Sequence, residues 1–326
     1  MSEIMRRFLE MFQLEREEED AFRGWSPDYA RKRLYGGQIL GQAVAAAGRT
    51  AEGAWLNSFH GYFLNSGYSG RSVGYRVKRL RDGRSIASRS VTATQGDRLL
   101  FTMNASFHRG GGDPEAPSHQ LHRPEVAGPE GLRDLMEFRG DAYAKSGAPH
   151  RKAMKRKWAF DLRPVEPQHY VSPPKKAPLR NMWVRLKERV PENNPVLTQA
   201  LLAYISDLVL EVSLFPHGIS LYDPALSIAS LDHAMWFHRR FTLGDWLLYV
   251  QESPVTHGGR AMVRAAFYTA DGTLVASVAQ EGMIRIRAAG KGGENGGARF
   301  RGAGGGKARD GRGGAPGCLR RARGRP

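Results

Sequence analysis

Cysteine is nearly missing from this chain: Cys318 is the only one among 326 residues. A disulfide within the chain is therefore excluded. A reducing, cytoplasmic-type compartment is the expectation. Cys318 sits in a Gly/Arg-rich segment outside any plausible core, so it is not expected to be a nucleophile. No run of about 18 apolar residues is evident, and no membrane-spanning helix is expected. The first residues, Met1 to Arg7, lead into acidic residues from Glu15 to Asp20 and do not resemble the apolar core of a secretory signal. The ten histidines show no convincing metal spacing. His119 and His122 lie in a Pro-rich stretch, and His233 and His238 are five apart, on opposite faces of an extended strand. Gly67-Tyr68-Ser69-Gly70-Arg71 fails as a nucleophile elbow at its last position. Gly304-Gly305-Gly306-Lys307-Ala308 lacks the hydroxyl and the first glycine of a phosphate loop. No metal and no cofactor is expected.

What is abundant is positive charge, a formal +17. Residues 288–326 hold ten Lys/Arg against two Asp/Glu, a net +8, which leaves +9 on residues 1–287. The Gly-rich composition of 288–326 predicts a disordered tail, for which nucleic-acid contact is the one functional reading. A basic body suits a polyphosphate-bearing substrate. The apolar fraction of 41% is enough for a sizeable core.

Five parts can be marked off. Residues 1–24 form a charged lead-in, in which Phe8, Leu9, Phe12 and Leu14 suggest a short amphipathic helix. Residues 25–108 and 181–287 are two compact units. Between them, residues 109–180 form a basic connector with ten of the eighteen prolines, a density that interrupts helices and central strands. The tail follows. Each unit opens on an apolar helix, Gln38 to Gly48 in the first and Pro195 to Asp207 in the second. Four β-rich runs follow each helix. In the first unit they are Ser58–Leu64, Ser72–Arg79, Ser85–Gln95 and Leu99–His108. In the second they are Ser230–Arg239, Trp246–Ser253, Arg260–Thr269 and Leu274–Ile286. Turn signals, Gln95-Gly96-Asp97 and Ala270-Asp271-Gly272, join the last two runs of each unit. Pattern alone thus gives an α+β class with two similar halves.

Two further stretches say more. Ser230-Leu231-Asp232-His233-Ala234-Met235-Trp236-Phe237-His238, with Val278-Ala279-Gln280-Glu281-Gly282, closely resembles the C-terminal signature of type II acyl-CoA thioesterases, the TesB-like double-hotdog hydrolases. Leu34-Tyr35-Gly36-Gly37-Gln38-Ile39-Leu40-Gly41-Gln42-Ala43 resembles the opening signature of the same family, in the right order. The resemblance covers roughly residues 20–108 and 181–287. It implies a double hotdog, in which two repeats each wrap an antiparallel sheet around a central helix and join their sheets. It implies hydrolysis of medium- to long-chain fatty acyl-CoA to free acid and coenzyme A, and assembly as homodimers or homotetramers.

The family's water-activating carboxylate, hydroxyl and amide fall on Asp207, Ser230 and Gln280. Those residue types suit the chemistry. An ionised carboxylate accepts a proton from water, and a hydroxyl and an amide fix the remaining water hydrogen bonds so that a lone pair faces the thioester carbon. Backbone N–H groups at Gly36, Gly37 and Gln38 are expected to receive the carbonyl oxygen, helped by the helix dipole. Asp232 and His233, adjacent on a strand, point to opposite faces and are read as structural or as supports behind the site; His60 is read as structural. Three rivals remain: an enoyl-CoA hydratase, a non-catalytic acyl-CoA binder, and a nucleic-acid-binding protein acting through its tail. The first wants Asp and His together on the buried helix, which has no His. The chain does not end on Ser-Lys-Leu, so cytoplasm rather than peroxisome is expected.

Overall fold

The computed structural model describes residues 1–27, 33–110, 115–145, 158–170, 172–190 and 194–287; the expected tail, with Cys318, lies outside them. Among the described residues, thirteen strands form one sheet around two buried helices. Helix α2 (Gly36–Gly48) is Ala-rich and buried on nearly every side. Helix α4 (Pro195–Ser206) starts where the Asn194 carboxamide accepts from Leu197 N, with Pro195 in the first turn. These two helices run antiparallel and touch along a seam of glycines. A Cβ on Gly37 would lie 2.2 Å from the Tyr204 carbonyl oxygen, and one on Gly41 2.7 Å from that of Ala200. At Gly48 it would meet Val196 at 2.5 Å. Glycine is required at Gly37 and Gly41 because a backbone carbonyl approaches there, and at Gly48 because the Val196 side chain does.

The first half contributes β3 (Ala54–Phe63), β4 (Val73–Asp82), β5 (Ile86–Gln95) and β6 (Arg98–Arg109). In the second half, β10 (Asp232–Phe237), β11 (Leu247–His257), β12 (Arg260–Thr269) and β13 (Leu274–Ile286) repeat the pattern. Strand order is β4-β5-β6-β3 in one half and β10-β13-β12-β11 in the other, and β3 pairs antiparallel with β10 to make one continuous sheet. This is the double hotdog that the resemblance implied. Gly96 and Gly272, in the two turns, both have positive φ, as tight hairpins demand.

Both flanks hold more structure than the sequence suggested. The lead-in forms helix α1 (Glu3–Glu10) followed by β1 (Glu15–Glu18) and β2 (Ala21–Gly24), which extend the first half of the sheet. Phe8 on α1 packs edge-on against Tyr204 of α4, with centroids 5.0 Å apart. The connector holds helix α3 (Leu135–Lys145) and β7 (Phe160–Pro164), which pairs with β8 (Leu179–Leu186). The proline rule survives in a narrower form: β7 is the outermost strand and Pro164 ends it. At the opposite edge β1 reads Glu-Arg-Glu-Glu and is fully exposed, a charged rim that discourages pairing with another chain.

Contrary to expectation, one helical stretch, Pro195–His217, is long and apolar enough to cross a bilayer by length and composition. Nearly three quarters of its most apolar part is buried inside the protein, as in a core helix.

Candidate active site

The site forms where the N-terminus of α2 meets the C-terminus of α4. Helix α2 has no side-chain cap: Tyr35 occupies the cap position without one. A carboxylate from the other half takes that role. Asp207, the residue that ends α4, accepts a hydrogen bond from Gly37 N at its Oδ2, 2.8 Å away. Gly36 makes this approach possible, since a Cβ there would lie 2.8 Å from the same oxygen. The arrangement is electrostatically divided. A negative charge at the end of α4 opposes that helix's own dipole, while the start of α2 favours it.

The other carboxylate oxygen faces two side chains. Asp207 Oδ1 accepts from Ser230 Oγ at 3.3 Å and from Gln280 Nε2 at 3.2 Å, and Gln280 Nε2 also donates to Ser230 Oγ at 2.6 Å. The structure thus brings together all three polar side chains singled out in the sequence, from three different elements. Asp207 and Ser230 are half-buried and Gln280 is buried, so the cluster opens only on its Asp–Ser side. Burial raises the Asp207 carboxyl from 3.8 to about 6; the hydrogen bonds from Gln280, Gly37 and Ser230 act in the opposite direction and keep the shift from going further.

A break in the strand places Ser230. The sequence reads as one run from Ser230 to Arg239, yet the chain forms β9 (Leu226–Ser230) and then β10, with Leu231 between. Ala234 pairs with Ala279 and Ser230 with Gly282, four residues against three on β13. That one-residue slip, the geometry of a β-bulge, reverses the alternation. Ser230 would otherwise face away from the side on which His233 is buried. With the slip, both point inward.

His233 extends the cluster inward. Its Nδ1 lies 2.7 Å from Gln280 Oε1 and its Nε2 2.9 Å from Ser206 Oγ. It is fully buried, and burial lowers its pKa to about 4, so the ring is neutral at physiological pH. Asp232, on the opposite face, accepts from Glu281 N at 2.6 Å and ties β10 to β13. His60 is exposed, edge-on to Trp236.

The expected oxyanion donors need correction. Gly37 N–H is engaged by Asp207, and Gln38 N–H by the Tyr35 carbonyl oxygen, 3.1 Å away. The Gln38 side chain is buried and donates to the Trp25 carbonyl oxygen. Of the three, only Gly36 keeps its expected role open. Sequence reasoning missed that Gly37 supports the carboxylate, because nothing local links positions 170 residues apart.

Among the described residues no group of three or more His, Cys, Asp or Glu could hold a metal ion. The set can do acid–base chemistry on a held water: one carboxylate of raised basicity, one hydroxyl, one amide.

Comparison with known proteins covers both halves of the chain. A family model described as acyl-CoA thioesterase matches residues 149–283, and one described as acyl-CoA thioesterase N-terminal domain matches residues 22–108. The chain is 36% identical over 286 residues to acyl-coenzyme A thioesterase 8 of Homo sapiens, covering 84% of this chain and 87% of the relative. It is 31% identical over 289 residues to acyl-CoA thioesterase 2 of Haemophilus influenzae, covering 88% and 99%. The crystal structure of the acyl-CoA thioesterase II TesB2 from Mycobacterium marinum superposes with a TM-score of 0.68 at 33% identity, over 86% of this chain and 98% of that one. With both halves matched in order, and the three polar heads meeting where the two halves join, the chain belongs to the type II acyl-CoA thioesterase family.

Proposed function

We propose that this acyl-CoA thioester hydrolase works by direct attack of water held at Asp207, Ser230 and Gln280, on medium- to long-chain fatty acyl-CoA. The observation that carries the reading is the convergence of one carboxylate oxygen, one hydroxyl and one amide within hydrogen-bond distance of each other. Asp207 takes the proton of the water as its oxygen bonds to the thioester carbon. The C–S bond then breaks, and the proton passes to the departing coenzyme A thiolate. A pKa of about 6 leaves Asp207 ionised at neutral pH yet more basic than an ordinary aspartate. Gly36 N–H, at the positive end of α2, is our candidate for stabilising the carbonyl oxygen.

On this reading the acyl chain lies in an apolar tunnel beside α2 and α4, where each buried methylene contributes about 0.8 kcal/mol, which favours longer chains. Thiol release measured across acyl-CoAs of increasing length tests this; a flat profile, or preference for acetyl-CoA, sinks it. Intact mass spectrometry during turnover tests the direct attack, with an acyl adduct on the protein as the refuting result. The proposal extends to a dimer or tetramer in the cytoplasm, on the strength of the family resemblance and the scarcity of cysteine. Light scattering and cell fractionation test those two points.

A further inference from the structure

We infer that His233 is a positioning residue for the hydrolysis: it holds the Gln280 carboxamide in the one orientation that presents its NH2 to Asp207 and Ser230. The inference rests on the role proposed above for Gln280.

A carboxamide has two ends of nearly equal shape, and only its hydrogen-bond partners decide which way it faces. At one end of Gln280 stands an ionised carboxylate, which only accepts; Nε2 lies 3.2 Å from it and 2.6 Å from Ser230 Oγ. The orientation therefore matters, because a flipped amide would set carbonyl oxygen against carboxylate. At the other end Gln280 Oε1 lies 2.7 Å from His233 Nδ1. A neutral imidazole has one N–H. With the proton on Nδ1, the ring donates to Oε1, and Nε2 accepts from the Ser206 hydroxyl 2.9 Å away. Ser206 Oγ also lies 2.9 Å from the Ala203 carbonyl oxygen. In the other tautomer Ser206 would donate to Ala203 and Nδ1 would accept, and only a flipped amide could satisfy it. The correct arrangement is thus a directed chain: Ser206 to His233, His233 to Gln280, Gln280 to Asp207 and Ser230.

The ring is well fixed for this task. Phe59 stacks on it, with centroids 5.9 Å apart and planes 15° from parallel. Ser206 immediately precedes Asp207, and its carbonyl oxygen accepts from Tyr249 OH at 2.5 Å. Both ends of the chain are therefore pinned to the same helix terminus. Asp232, its sequence neighbour, has no part in it, as it faces β13 backbone on the other side.

The test uses the full chain and a long-chain acyl-CoA. His233→Leu removes the donor, and His233→Asn restores an N–H near the position of Nδ1. We expect His233→Leu to lower kcat by roughly 30-fold or more with KM changed by less than about 3-fold, as for loss of orientation rather than binding. His233→Asn should recover to within about 5-fold of wild type. In a Gln280→Ala background, His233→Leu should cost less than about 2-fold more, because the two act as a unit. Equal impairment of the Leu and Asn variants, or full additivity with Gln280→Ala, overturns the inference. Should His233→Leu fail to fold, Ser206→Ala carries the same test through the Nε2 contact, and additivity of its kcat loss with Gln280→Ala overturns the inference equally. A Gln280→Ala enzyme of undiminished kcat instead refutes the water-holding reading on which this rests.

Discussion

Replacing Asp207 with Asn should separate what this carboxylate does for the reaction from what it costs the fold. Burial raises its pKa from 3.8 in the unfolded chain to about 6. The folded protein therefore binds the proton more tightly, and stability falls as pH rises from 3.8 through 6. Between pH 4.5 and the folded value about 1.5 pH units remain, which correspond to about 2 kcal/mol. Because Asp207 keeps part of its surface toward solvent, half of that, ~1 kcal/mol, is a fair expectation. The Asn side chain loses some hydrogen bonds, since its NH2 cannot accept and its single oxygen can serve either Gly37 N or the Ser230–Gln280 pair but not both, but that cost does not vary with pH. Urea unfolding of both proteins at pH 4.5 and pH 8 should then show the variant gaining ~1 kcal/mol relative to wild type at the higher pH. In the same variant kcat should fall by roughly 30- to 1000-fold, equivalent to about 2 to 4 kcal/mol of barrier. The wild-type kcat/KM should rise with pH, reach half its plateau near 6 and level off above about 7, and the variant's residual rate should lack that step. A stability difference that is the same at both pH values would show that burial does not raise the pKa of this carboxyl as described. Undiminished thiol release would remove it from the reaction.

Other outcomes can be checked alongside. Ser230→Ala should lower kcat by roughly 10- to 100-fold, while Ser230→Thr, which keeps the hydroxyl, should stay within about 3-fold of wild type; steady-state kinetics decides, and equal loss in both would point to packing instead. Gly37→Ala forces a Cβ to within 2.2 Å of the Tyr204 carbonyl oxygen; it should cost about 3 kcal/mol or more in urea unfolding as the helix seam is pushed apart. Deleting residues 288–326 should leave hydrolysis intact, whereas any nucleic-acid binding, read as a salt-dependent mobility shift, should vanish with the tail.

The core of the fold was readable because its signals are local and strong. The Ala-rich run of α2, the proline and asparagine that start α4, and the glycines at the two hairpins all act over a few residues. β1 escaped notice because Glu15–Glu18 has no apolar alternation; it is a strand only because β2 beside it supplies hydrogen bonds. β7 was hidden by the prolines around it. Of the site, Asp207, Ser230 and Gln280 were visible through family resemblance, and no periodicity would have found them. The features that make them work together were not visible at all. The slip at Leu231 depends on cross-strand register, and the Gly37 contact depends on two helices from different halves packing antiparallel, so that the start of one lies beside the end of the other.

The repeat also sets a stoichiometry. Both central helices end on a residue with a specific task, but the tasks have diverged: α4 ends on Asp207, whereas α2 ends on Arg49, whose guanidinium reaches the Leu14 carbonyl and braces the lead-in against the core. A cation there is suited to the helix terminus and has no use as a base. On the reading proposed above, two folding units share a single reaction centre, and the matching helix terminus of the first unit is given to structural work. Calorimetric titration with a non-hydrolysable acyl-CoA analogue should accordingly saturate at one ligand per chain, and two would mean that the first unit still carries a working pocket of its own.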